Sequence, residues 1–206
     1  MTRVKVCGIT SLEDARLAIG CGADELGLNL IAASPRALEP EAARRIAQAV
    51  AGQVAVVGVV ADVPPSELLT LRQTIGLDLL QLHGSEPPEW LEALLPGAYK
   101  ALRIAGPEDV AQATRYRGDR LLVDAKVVGR LGGTGTTFDW SLVRGLASER
   151  QLMLAGGLRP DNVARAVAEV RPWAVDVASG VEPAGEPRRK DPSLLKRFME
   201  QVRAAG

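Results

Sequence analysis

Histidine and cysteine are scarce in this chain of 206 residues, which has one His and two Cys. Neither cysteine sits in a C-x-x-C pair, so the ligand sets of zinc sites and the dithiol of thioredoxin-like redox chemistry are missing, and two cysteines make no disulfide framework. Net charge is missing as well: 25 Lys+Arg balance 25 Asp+Glu, which removes any blanket attraction to nucleic acid or to an anionic membrane. Basic residues gather only in "PRRKD" (187–191), and this run reads as a solvated loop. Long apolar runs are also lacking. The most apolar stretch, "VAVVGVVA" (54–61), is far too short to span a bilayer, and the first residues carry no long apolar core, so the expected location is the cytoplasm, without a membrane segment. No composition break or Ser/Pro-rich linker divides the chain, and its length suffices for one well-buried core, so a single domain over 1–206 is expected.

What is present is a rhythm. Short β-branched runs alternate with longer amphipathic ones: "RVKVC" and a helix from Ser11, "ADELGLNL" and a helix near Pro40, "QVAVVGVV" and a helix near Pro65, "LDLLQL" and a helix near Glu86. "YKALRI" precedes a helix near Pro107, "RLLVD" a long loop and a helix from Asp139, "RQLMLA" a helix from Pro160, and "AVDVAS" a helix from Asp191. Ser11 with Asp14, Pro40 with Glu41, Pro160 with Asp161 and Asp191 with Pro192 are all helix N-terminal signals. Strands that alternate with helices pair in parallel and are apolar on both faces. Eight units in 206 residues leave roughly 26 per unit, at the compact end for a closed (β/α)₈ TIM barrel of eight parallel strands. An open doubly wound sheet would usually carry G-x-G-x-x-G after its first strand, and "CGITSLED" has one glycine there. The barrel is preferred.

In a barrel, chemistry gathers at the C-terminal strand ends. Cys7, "NLIAASPR", "QLHG", Arg103, Asp124, "AGGL" and "ASGVE" all fall there. Gly156, Gly157, Ser179 and Gly180 follow strands seven and eight, where exposed backbone N–H groups can cradle a phosphate, and "PAGEPRRK" leaves room for a short extra helix. "GGTG" (132–135) is no Walker loop, since no Lys follows it, and suits a lid. Cys7 is either a small packing residue or a base or nucleophile; Cys21, at the end of the first helix, reads as packing. Asp124 ends an apolar strand, where a carboxyl group can serve as a general acid or merely cap the next segment. His83 reads as a hydrogen-bonded structural residue, while Arg36 and Arg103 suit bidentate carboxylate binding or a surface ion pair. A thiol, a carboxyl group and a phosphate cradle on one rim suggest acid–base chemistry on a sugar phosphate.

The segments "KVCGIT", "SPR", "QLHG", "GGTGTTFDW", "LAGGLRPDNV" and "VDVASGVE" stand in an order that closely resembles the phosphoribosylanthranilate isomerase family of tryptophan biosynthesis, over residues 3–198. The resemblance implies a (β/α)₈ barrel and an Amadori rearrangement without cofactor or metal. N-(5-phosphoribosyl)anthranilate would become 1-(2-carboxyphenylamino)-1-deoxyribulose 5-phosphate. It further implies Cys7 as general base, Asp124 as general acid, Arg36 on the anthranilate carboxylate, the glycine loops on the phosphate, and His83 and Asp176 as supporting polar groups. The chain departs from the family in the second-strand segment: "GLNLIAASPR" stands where "GFVFYPKSPR" is common, losing aromatics and a lysine between Leu28 and Ala33. Thr136 replaces a lysine of the lid, and "ASGVE" the more usual "SSGVE". A histidine-pathway isomerase performing the same rearrangement typically uses two aspartates, against which Cys7 argues. A silent phosphate-binding barrel would need neither Cys7 nor Asp124. The expected partner is a small phosphoribosyl substrate, and a monomer and a homodimer are both compatible with the sequence.

Overall fold

The computed structural model describes residues 1–125 and 137–206. Eight parallel strands close into a barrel in chain order. They are β1 (Arg3–Cys7), β2 (Glu25–Asn29), β3 (Ala55–Val60), β4 (Leu79–Leu82), β5 (Ala98–Ile104), β6 (Arg120–Ala125), β7 (Gln151–Leu154) and β8 (Ala174–Val177). Outside them lie α1 (Leu12–Cys21), α2 (Pro40–Ala49), α3 (Pro65–Ile75), α4 (Pro88–Glu92), α5 (Pro107–Ala111), α6 (Arg144–Glu149), α7 (Val163–Val170) and α8 (Pro192–Ala205). The strand–helix alternation expected from periodicity is therefore observed.

Helix starts follow local chemistry. Ser11 Oγ accepts from the Asp14 N–H at 3.0 Å, and Asp191 Oδ1 accepts from the N–H groups of Ser193 and Leu194 at 2.8 and 2.9 Å, satisfying donors that a helix leaves unpaired. α8 then buries Leu195, Phe198, Met199 and Val202 along one stripe, each contributing about 1.5–3 kcal/mol of apolar burial. The start expected at Asp139 is a 3₁₀ turn, Trp140–Val143, that runs directly into α6, and two expected starts shift. α7 begins at Val163 rather than Pro160, because Asn162 Oδ1 accepts from the Arg159 N–H at 2.8 Å and holds 159–162 as a turn. Glu86 does not open a helix: it is buried, and its carboxylate meets Lys100 Nζ at 2.7 Å, so α4 starts at Pro88.

Most of the core lies between barrel and helices. A smaller cluster of Val57, Tyr99, Ala101, Leu122, Met153, Ala155 and Ala174 forms at alternate strand positions, which the two-residue period of a strand directs to the barrel interior. The inward face is not uniformly apolar, contrary to the expectation for parallel strands. Lys5, Gln81 and Asp176 are buried there, each at most 9% exposed, and their polar groups support the site above; Glu25, 2% exposed, starts β2 and pairs instead with Arg120 at the start of β6.

Candidate active site

The C-terminal mouth of the barrel holds a cavity of about 470 Å³ lined by Cys7, Arg36, His83, Asp124, Gly156, Gly157, Asp176 and Ser179 among others. These residues come from six separate strand ends, and eight of the nine expected site residues meet in this one space. Gly180 does not line it. A Cβ there would collide with the Leu158 carbonyl, so this glycine permits the close crossing of the loops after β7 and β8. Arg103 is half-buried and lies off the cavity wall. The expected short helix exists as a 3₁₀ turn over Ser179–Val181, starting at the cavity wall rather than within "PAGEPRRK". The glycines read as a lid, 132–135, and Thr136 lie outside the described residues.

On the β1 side, Cys7 lies opposite Gly27 in the β1–β2 register. A Cβ at Gly27 would lie 2.7 Å from Cys7 Sγ and 3.1 Å from Lys5 Nζ, so sulfur and ammonium both occupy space that any larger residue would close. Lys5 is fully buried, and its Nζ donates to Asp176 Oδ1 at 3.0 Å. Burial alone would favour the uncharged amine, but the Asp176 carboxylate and then Cys7 outweigh it and hold Lys5 well above the ordinary lysine range. Burial also pushes Asp176 up, with Lys5 pulling against it. The Cys7 thiol is likewise pushed up by burial; Lys5 opposes this, Asp176 reinforces it, and Lys190 opposes it more weakly. Cys7 thus rests as a thiol that has cations near it.

Lys190 corrects the expectation of a solvated "PRRKD" loop. Arg188 and Arg189 face solvent, but Lys190 is 2% exposed and donates to Glu182 Oε1 at 2.7 Å and to the Ala178 carbonyl at 3.3 Å. Glu182 also receives both Nε (2.7 Å) and Nη2 of Arg36. This side-on pairing occupies one edge of the guanidinium and leaves the Nη1/Nη2 edge for a second carboxylate. Arg36 reaches this place across Gly8, whose φ of 72° is left-handed and where a Cβ would collide with Arg36 Cδ.

On the β4–β6 side, Asp124 Oδ1 accepts from the Ala125 N–H at 2.8 Å, and Oδ2 lies 3.5 Å from His83 Nε2. Gly156, with φ 86°, brings the β7 loop against this carboxylate: a Cβ would stand 2.5 Å from the Ala125 nitrogen and 2.9 Å from Asp124 Oδ1. His83 Nδ1 is 2.7 Å from Gln81 Nε2. Lys5, Gln81, Glu182 and Lys190 were not anticipated. For Lys5 and Gln81 a signal existed, since each stands two residues before a candidate residue on the same strand face.

A family model of N-(5′-phosphoribosyl)anthranilate (PRA) isomerase matches residues 4–201. The N-(5′-phosphoribosyl)anthranilate isomerase of Moorella thermoacetica is 45% identical over 207 residues, covering 100% of this chain and 91% of its own length. The phosphoribosyl anthranilate isomerase of Thermotoga maritima superposes with a TM-score of 0.91 at 39% identity, covering 99% of this chain and 100% of its own. A phosphoribosyl anthranilate isomerase solved in complex with reduced 1-(o-carboxyphenylamino)-1-deoxyribulose 5-phosphate superposes with a TM-score of 0.88 at 37% identity, with the same coverage.

Proposed function

The chain belongs to the PRA isomerase family and isomerises N-(5′-phosphoribosyl)anthranilate to 1-(2-carboxyphenylamino)-1-deoxyribulose 5-phosphate in tryptophan biosynthesis; we propose that Cys7 is the general base of this reaction and Asp124 its general acid. The observation that carries the assignment is the convergence of thiol, carboxyl, arginine edge and glycine loops on one cavity. A single catalytic domain, 1–206, holds the whole set, and the two unpaired cysteines suit the cytoplasm as its compartment.

Asp124 gives its proton to the ribose ring oxygen. The C1–O bond breaks as the amine lone pair forms C1=N, leaving a protonated imine. That cation acidifies the C2–H and, standing in the cavity, favours release of the Cys7 proton to solvent, which forms the thiolate that burial disfavours. Acid catalysis therefore precedes base catalysis. The thiolate removes the C2 proton, the C–H electrons form C1=C2, and the imine electrons return to nitrogen. Transfer of the enol proton to C1 then gives the ketone.

Arg36 holds the anthranilate carboxylate on its open edge, with Glu182 fixing the other. Ile31 and Ala33, which line the cavity, supply an aliphatic wall for the anthranilate ring where aromatics are more common in the family. Gly157 and Ser179 take the phosphate, Gly156 and Gly180 shape its loops, and His83 and Asp176 support acid and base respectively.

The test is loss of anthranilate fluorescence during turnover by the wild type, Cys7→Ser and Asp124→Asn. Each substitution should lower kcat by about 10²–10⁴-fold while circular dichroism stays native. Turnover persisting in Cys7→Ser would return that cysteine to packing, and persistence in Asp124→Asn would move the acid elsewhere.

A further inference from the structure

A hydrogen-bonded chain leads from the barrel interior to the imidazole that faces the acid. Tyr99 on β5 and Gln81 on β4 face each other in register, and both are 1% exposed. The Tyr99 ring sits in the interior apolar cluster, and its hydroxyl donates to Gln81 Oε1 at 3.0 Å. Burial pushes the phenol far above its ordinary range, so it keeps its proton and must place it on an acceptor. With Oε1 taken, the amide turns its N–H toward His83 Nδ1, 2.7 Å away. An imidazole that accepts at Nδ1 carries its proton on Nε2. That nitrogen is buried, has no hydrogen-bond partner among the described residues, and faces Asp124 Oδ2 at 3.5 Å.

We propose that Tyr99 and Gln81 are positioning residues, which fix His83 in the Nε2–H tautomer so that a hydrogen-bond donor, rather than a lone pair, faces Asp124. The inference rests on Asp124 as the acid. Once the carboxyl group has passed its proton to the ring oxygen, Oδ2 carries charge, and the His83 Nε2–H closes the present gap to donate to it. The opposite tautomer would set a lone pair against that charge. Tyr99 lies off the cavity wall, and Gln81, which reaches it, has its amide nitrogen on His83 and its amide oxygen on the Tyr99 hydroxyl; both act through His83.

The sequence contains one histidine, so ¹⁵N-histidine labelling of the full chain yields a single imidazole, and two-bond ¹H–¹⁵N correlation reads its tautomer without assignment. The wild type should show the proton on Nε2. Tyr99→Phe, which removes one oxygen from a buried ring, should let the amide turn and mix the tautomers, with kcat down about tenfold and KM unchanged. Gln81→Glu, which replaces the donating amide end by an acceptor, should move the proton to Nδ1. A wild-type proton on Nδ1 would overturn the proposal without any variant having to fold, as would a pure Nε2–H tautomer in Tyr99→Phe and Gln81→Glu alike. The spectrum is taken on resting enzyme. Full activity in Asp124→Asn would sink the acid assignment and leave the tautomer standing, whereas a wrong tautomer with inactive Asp124→Asn would sink only the relay.

Discussion

Cys7 leaves β1 beside a buried ammonium and a carboxylate, whereas Asp124 leaves β6 beside an imidazole held by an amide and a phenol. The base side is thus supported by full charges and the acid side by a chain of dipoles. The reaction explains why the materials differ. A buried thiol must become an anion, which only nearby cations make affordable. The acid must keep a proton until the ring oxygen takes it, and a permanent cation at hydrogen-bond distance would strip that proton early. The two halves stand three strands apart, across β8 and β7, which lets each keep its own electrostatics within one cavity.

The largest effect should come from breaking the charged half. Lys5→Met leaves the Asp176 carboxylate buried without the ammonium that meets it at 3.0 Å. Removing one partner of a buried pair costs about 3–5 kcal/mol, measurable by denaturant unfolding, and kcat should fall by about 10²-fold even where the variant is folded. Unchanged stability would show that water already shares this pair. Next is Glu182→Gln, which weakens the hold on both Arg36 and Lys190. It should cost about 1.5–3 kcal/mol, and Arg36, free to turn, should raise KM more than it lowers kcat.

How far these halves were legible in the sequence depends on how local their signals are. The β-branched strands, the caps at Ser11 and Asp191, and the strand-end positions of Cys7 and Asp124 all follow from neighbours within a few residues. Lys5 and Gln81 were equally local, two positions upstream of Cys7 and His83, yet a rule that parallel strands are apolar on both faces passed over them. Lys190 was not legible at all. Its burial depends on Glu182 and, through it, on Arg36, separated from Glu182 by 146 positions in the chain, and no pattern within "PRRKD" announces that contact. The start of α7 was misplaced because Pro160 and Asp161 carry helix-start chemistry that Asn162 turns into a cap for the preceding turn.

Gly27→Ala sharpens the comparison by loading strain onto the base side alone. The added methyl group would fall at 2.7 Å from Cys7 Sγ and 3.1 Å from Lys5 Nζ, and overpacking of this kind costs about 1–3 kcal/mol. Turnover should fall with the displaced sulfur, while the His83 ¹⁵N signature stays that of the wild type. A changed tautomer in Gly27→Ala would mean that the two halves are mechanically coupled.

The smallest effect, and the finest test, is a displacement along the pH axis. Because burial raises the Cys7 thiol, with Asp176 reinforcing and Lys5 and Lys190 opposing, the thiolate accumulates only above the ordinary thiol range. kcat/KM should therefore have a rising limb set by the thiol, with its midpoint above the ordinary thiol value, and should fall where Asp124 no longer holds the proton it must give. Lys5→Met removes a cation that lowers the thiol's value, so in that variant the climb should continue to still higher pH. Tyr99→Phe alters the dipole chain and no charge near the sulfur, so its rising limb should overlie the wild type's at a lower maximum. If Tyr99→Phe moved the limb as far as Lys5→Met does, the limb would report a proton shared across the whole cavity, and the division into a charged half and a dipolar half would fail.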